Sequence, residues 1–294
     1  MIKSTMPIET ITLTRQHLAF PARAAGRGPP VLLLHGFPDC HQNWLGQIEA
    51  LAAAGYRAVA PALRGYHPHC QPGNKDYSLA AAVDDVCHFA ESLGGPVHLV
   101  GHDWGAVVAW LAAAAAPERI RSCTALAVPP LRHLSRAMLK RPRQWLRSSY
   151  MAFFQIPALP EWWLCRNDGR GLETLWQRWS PGLQAGEHLE RARQAFAQAG
   201  VASAAVGWYR HLPRAWSRDH RRARQWLARP VRVPSLSIHG ADDRCIDPAL
   251  VAGFDRGDFP TGLRVEIIDQ AGHFVHLEQP GVVNRLLCEH FSAC

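Results

Sequence analysis

The chain has 294 residues, 48% hydrophobic and 19% charged, a globular balance that excludes wholesale disorder and coiled coil. Its formal net charge of +8 is almost all arginine, since lysine occurs only at Lys3, Lys75 and Lys140. The densest basic run, His211 to Arg229, is interleaved with Trp216, Trp226 and Leu227. That is the pattern of an amphipathic helix with a charged outer face, so no nucleic-acid partner is expected.

Two short alternating segments, Glu9–Thr14 and His17–Ala22, read as antiparallel edge strands. After the break at Arg27-Gly-Pro-Pro30 comes Val31-Leu-Leu-Leu-His35, an apolar run too short for a helix and typical of a strand buried on both faces. Ala58–Ala60 and Val97–Val100 repeat that signal, and helical periods fill Gln42–Ala54 and Leu79–Leu93. Strand and helix alternating at this spacing predict a parallel sheet with crossover helices. A further strand is expected over Ile120–Val128.

The alternation stops at Pro129-Pro130. From Leu131 to Arg229 the sequence is helical and dense in Trp and Arg, and the sheet pattern returns at Ser235–His239 and Leu263–Ile268 before a closing helix, Gly281–Phe291. One α/β core, residues 1–130 and 230–294, is therefore expected to be interrupted by a helical cap, 131–229. The eight cysteines form no CxxC pair and Met1–Phe20 lacks a signal-peptide core, which points to reduced thiols in a cytoplasm. The longest apolar run, Ala106–Ala116, would span roughly 16 Å as a helix, about half a bilayer core, so no membrane partner is expected. His67, His69 and Cys70 fit no closed zinc pattern, and neither metal nor cofactor is expected.

The segment that carries chemistry is Gly101-His102-Asp103-Trp104-Gly105, between a buried strand and an apolar helix. It is a nucleophile-elbow pattern with aspartate in place of serine. The sharp turn strains the central residue and demands small residues two before and two after it. Two elements support it. His35-Gly36-Phe37-Pro38 follows a buried strand, where the Phe37 N–H can join that of Trp104 in an oxyanion hole. The order nucleophile, acid, histidine is then met by Gly240-Ala-Asp-Asp243 and Gly272-His273-Phe. Spacing favours Asp243 over Asp242, with Asp247 an outsider that looks like a helix start. Asp39 reads as the cap of the helix starting near Gln42. Cys245 reads as a small buried hydrophobe.

These motifs resemble the α/β-hydrolase fold superfamily, and within it the epoxide hydrolase branch, over about residues 9–291. The resemblance implies a mostly parallel eight-stranded sheet flanked by helices, with a helical cap inserted. In that branch two cap tyrosines point at the nucleophile. Tyr150-Met-Ala-Phe-Phe-Gln-Ile-Pro157 and Trp208-Tyr209-Arg210 match their contexts, although Gly207 stands where the branch usually has Asn. Arg64-Gly65-Tyr66 resembles the branch's turn after its fourth strand.

The implied reaction opens an epoxide with water to a vicinal diol, with no cofactor. A carboxylate attacking an sp³ carbon gives an ester that water can cleave, whereas a serine would give an inert ether. Asp103 is then the nucleophile, His273 the base oriented by Asp243, and Tyr150 and Tyr209 the acids. His35, Phe37, Trp104, Phe153, Phe154 and Trp208 are the expected substrate contacts. The alternatives are a hydrolytic haloalkane dehalogenase, with the Trp104 indole serving the halide, and a non-catalytic binding protein of the same fold.

Overall fold

The computed structural model describes residues 7–138, 141–214, 217–251 and 254–294; Trp216 of the basic run lies outside them. Its sheet has eight strands: β1 (Glu9–Arg15), β2 (Leu18–Ala25), β3 (Pro30–Leu34), β4 (Arg57–Pro61), β5 (Val97–His102), β6 (Ile120–Leu126), β7 (Ser235–Gly240) and β8 (Leu263–Ile268). They lie in the order β1-β2-β4-β3-β5-β6-β7-β8. The pairs β1–β2 and β2–β4 are antiparallel and the other five are parallel. β1 is an edge, as expected, but β2 is not. Its Ala22–Ala25 half pairs with Ala58–Pro61 of β4, so β2 joins the hairpin to the parallel sheet.

Successive side chains of a strand face opposite sides, and here both sides are covered. Val31, Leu33, Val100, Leu236 and Ile238 pack with Ile48 and Leu51 of α1 (Leu45–Ala53). Leu32, Leu34 and Leu99 pack on the other face, with Val86 and Phe89 of α2 (Leu79–Ser92) and Val108 of α3 (Trp104–Ala115). Buried on nearly every side, α3 is apolar all round rather than amphipathic. A short 3-10 turn, His41–Trp44, precedes α1, and the capping position before it is Cys40, which makes no side-chain cap bond. Asp39 therefore does not cap a helix at Gln42. Its Oδ1 instead accepts from the Cys40 amide at 2.8 Å and the Asn43 side chain at 2.5 Å, deep in the core.

Between β6 and β7 run α4 (Leu131–Met138), α5 (Pro142–Arg147), α6 (Tyr150–Phe153), α7 (Leu159–Trp179), α8 (Gly186–Phe196), α9 (Val201–His211) and α10 (Arg218–Leu227). The basic run forms α10, whose Arg222 pairs with Asp84 of α2 at 2.8 Å. The chain closes with α11 (Val275–Glu278) and α12 (Pro280–Ser292), which packs Val283, Leu286 and Phe291 beside α1.

The inserted helices rest on the loops after the carboxyl ends of the strands. Trp176 Nε1 donates to Pro38 O at 2.9 Å, Trp208 Nε1 to Arg64 O at 3.0 Å, and Gln144 Nε2 to Cys245 O at 2.9 Å. The loop bearing Arg64 is itself fixed by charge. Arg64 donates twice to the buried Asp85 carboxylate of α2, at 2.8 and 2.6 Å, and Arg15 adds a third bond at 2.9 Å. Replacing Asp85 by Ala leaves the Arg64 guanidinium buried and unpaired. The expected loss is about 3–5 kcal/mol, read from the urea midpoint, and a loss below about 1 kcal/mol would contradict the assignment.

Candidate active site

The site begins at the turn from β5 into α3. Asp103 sits at φ 50°, ψ −115°, a conformation costly for any residue with a side chain. Packing holds it there. A Cβ on Gly101 would fall on the Gly105 carbonyl, and one on Gly105 would fall on the Leu34 carbonyl, so neither position admits a larger residue. The turn projects the Asp103 carboxylate toward the loop after β3, where the Phe37 N–H donates to Oδ1 at 2.7 Å. The Trp104 amide stands at the first position of α3, where a helix leaves its N–H groups without intrahelical acceptors.

His273 follows β8 and is fully buried. Its Nδ1–H donates to Asp243 Oδ2 at 2.9 Å, and its Nε2 lies 3.4 Å from Asp103 Oδ2. The geometry separates the three candidate acids. Asp242 is exposed, and Asp247 accepts from the Ala249 amide at the start of a 3-10 turn, as its sequence suggested. Asp243 is buried, its Oδ1 held by the Cys245 and Ile246 amides at 2.7 and 2.9 Å, leaving Oδ2 for the histidine.

Aromatic rings close over this trio. Tyr209 stacks edge-on against Phe37 and Trp104, with centroids 5.2 and 4.9 Å away, and its ring lies 5.8 Å from that of Tyr150. Burial pushes both phenols well above their usual range, so both remain protonated donors at neutral pH. Phe154 lies between Phe37, Tyr150 and Tyr209, Trp208 lies 5.7 Å from Trp104, and Phe153 packs outward on Trp163. At Gly207, where the resemblance leads one to expect Asn, a Cβ would lie 2.7 Å from the Tyr77 ring, so Tyr77 fills the space a larger residue would take.

His35 departs from its expected role. Its Nδ1–H donates to Gly36 O and its Nε2 accepts from the Leu63 amide, both at 3.0 Å. Burial lowers it to about 4, and it ties together the loops after β3 and β4 rather than meeting a substrate.

Three features were not anticipated from the sequence. Trp179 stacks on His273 at 5.2 Å, and its carbonyl accepts from the His273 amide at 3.3 Å. Cys245 Sγ lies 3.8 Å from the Tyr150 hydroxyl. Beneath His273, buried Asp39, His102 and His276 gather their ligand-type atoms within 4.8 Å, a grouping of three that could hold a metal ion. His102 Nε2–H donates to the His273 carbonyl at 2.9 Å. Burial lowers His102 to about 3 and raises Asp39 to about 7. Asp39 gave a helix-cap signal in sequence, and only the fold brings the two histidines to it.

Burial alone would lower His273, but the flanking Asp243 and Asp103 carboxylates outweigh it and raise the imidazolium to about 10 from 6.5. A histidine raised on folding adds stability that is full below about pH 6.5 and lost as pH rises through about 10. The melting temperature should therefore fall between those values more steeply in the wild type than in His273→Gln. Parallel profiles would contradict the charge assignment.

The sequence profile of the alpha/beta hydrolase fold matches residues 29–280. The AB hydrolase superfamily protein YfhM of Bacillus subtilis (strain 168) is 35% identical over 276 residues, spanning 92% of this chain and 93% of its own. Human Epoxide hydrolase 4 is 32% identical over 280 residues, 92% of this chain and 75% of its own. Among solved structures, epoxide hydrolase VrEH1 from Vigna radiata superposes with a TM-score of 0.82 at 27% identity, covering 98% of both chains. The chain belongs to the α/β-hydrolase fold family, in its epoxide hydrolase branch.

Proposed function

We propose that the protein is an epoxide hydrolase that works through a covalent ester on Asp103. Residues 1–130 and 230–294 act as the core, and 131–229 as the cap that closes over the nucleophile. The observation that carries this reading is a carboxylate on the strained turn, facing a histidine on one side and two buried phenols on the other. The relatives named epoxide hydrolase support the same substrate class.

In the first step an Asp103 oxygen attacks an epoxide carbon, the carbon–oxygen bond breaks, and the leaving alkoxide takes a proton from Tyr150 or Tyr209. Esterification removes the Asp103 charge, one of the two that hold the His273 proton. The imidazolium therefore gives that proton up, restoring the tyrosine that protonated the alkoxide, and the neutral imidazole is a base at the point where water must be activated. Water attacks the Asp103 carboxyl carbon as His273, held by Asp243, takes its proton. The resulting oxyanion lies on the oxygen that Phe37 N–H already contacts, with the Trp104 amide as second donor. Collapse breaks the ester carbon–oxygen bond, the expelled alkoxide takes the proton of the new Asp103 carboxylic acid to complete the diol, and the carboxylate is restored beside protonated His273.

One observation favours the dehalogenase alternative. Trp104 Nε1 is buried with no hydrogen-bond partner among the described residues, as a halide donor would be. The tyrosines decide between the two. Removal of one oxyanion donor costs about 10²–10³ in rate, less where a second donor covers for it. Tyr150→Phe and Tyr209→Phe should each lose less than that in epoxide opening, and the double variant should be close to inactive while folded. Near-wild-type opening by the double variant, or halide release by a wild type inert to epoxides, would replace this reading with the alternative.

A further inference from the structure

Five of the seven exposed large hydrophobic residues among those described, Trp145, Leu146, Ile156, Leu159 and Trp162, fall within residues 145–162. α5 is amphipathic in the reverse sense. Two of its three polar residues face inward: Gln144 is fully buried and bonds Cys245 O and the Asp247 amide at 2.9 and 3.0 Å, and Arg147 donates to Asp243 O at 2.8 Å. Its apolar residues face out, Trp145 58% and Leu146 71% exposed. A helix that merely meets water does the opposite.

Within residues 141–166 the charges are one-sided, with the exposed Asp168 standing just beyond them. Glu161, the sole carboxylate between 141 and 166, is paired with Arg210 at 2.5 and 3.1 Å. Arg143 is exposed and has no acidic partner among the described residues, and the Arg166 guanidinium lies 4.6 Å over the Trp162 ring. We infer that residues 145–162 form a lipid-docking surface that seats on an anionic bilayer. Leu146, Ile156 and Leu159 enter the acyl boundary, Trp145 and Trp162 sit at headgroup depth, and Arg143 and Arg166 meet lipid phosphates. A second copy fits less well, because a two-fold contact would set this surface, with both arginines on it, against itself.

No helix among the described residues is long and apolar enough to cross a membrane, and surface seating needs none. The expectation of no membrane partner rested on the lack of a spanning segment, a lack that surface seating leaves in place. Seating would bring Tyr150 and Phe153, which lie in the same stretch, to the interface where apolar epoxides dissolve. That consequence rests on the proposed activity, whereas the lipid contact does not.

The test is co-sedimentation with vesicles of phosphatidylcholine alone or mixed with phosphatidylglycerol. Wild type should pellet with the anionic vesicles, stay in solution with the neutral ones, and be released by salt. Arg143→Gln with Arg166→Gln should weaken partitioning about thirtyfold at low salt. Leu146→Ser with Ile156→Ser and Leu159→Ser should abolish it without lowering the melting temperature. Protein remaining in solution with both vesicles would overturn the proposal, as would equal pelleting with both. A dimer dispersed by the serine variant, with no vesicle binding, would assign the surface to a second copy instead.

Discussion

Asp103 is held at φ 50° on a turn whose flanking glycines touch backbone carbonyls where a side chain would be. Everything chemical in the molecule is arranged around that constraint. β5 must end in the middle of the sheet, α3 must start within a residue of it, and β3 must pass close enough for its Leu34 carbonyl to leave Gly105 no room. The strain keeps the carboxylate proud of the sheet and fixed before any substrate arrives, so the proposed attack would need little reorganisation there.

A second constraint is electrostatic. Two carboxylates and one imidazole share a site largely closed to water, with His273 fully buried. The arrangement is balanced while the imidazole is protonated, and neutralising Asp103 tips it. Tyr150 and Tyr209, kept protonated by burial, would answer the opposite need in the proposed reaction by supplying protons where negative charge leaves. Groups of the same site are thus tuned in different directions by their surroundings, the condition for acid and base steps to run at one pH.

The sheet was legible because strands buried on both faces are short continuous apolar runs, as at Val31–Leu34 and Val97–Val100. The turn was legible because its glycine spacing has a steric cause. Spacing alone ranks Asp243 above two nearby acids, and the Cys245 and Ile246 amides that hold its Oδ1 come from loop shape, which the sequence does not display. β2 was mistaken for an edge because alternation reports one covered face and says nothing of backbone neighbours. His35 was read as a substrate contact because its use by Gly36 and Leu63 needs the loops after both β3 and β4. Trp179 was one tryptophan among many in a helical stretch, and only the bend of the chain over His273 distinguishes it.

The central claim is that Asp103 forms a bond to substrate and His273 is needed only to release it. The most direct measurement is the intact mass of His273→Gln after exposure to an epoxide, followed by peptide mapping. A gain of one substrate mass on the peptide containing Asp103, with hydrolysis stalled, is the expected result. An unmodified His273→Gln protein that still turns over epoxide would contradict the account.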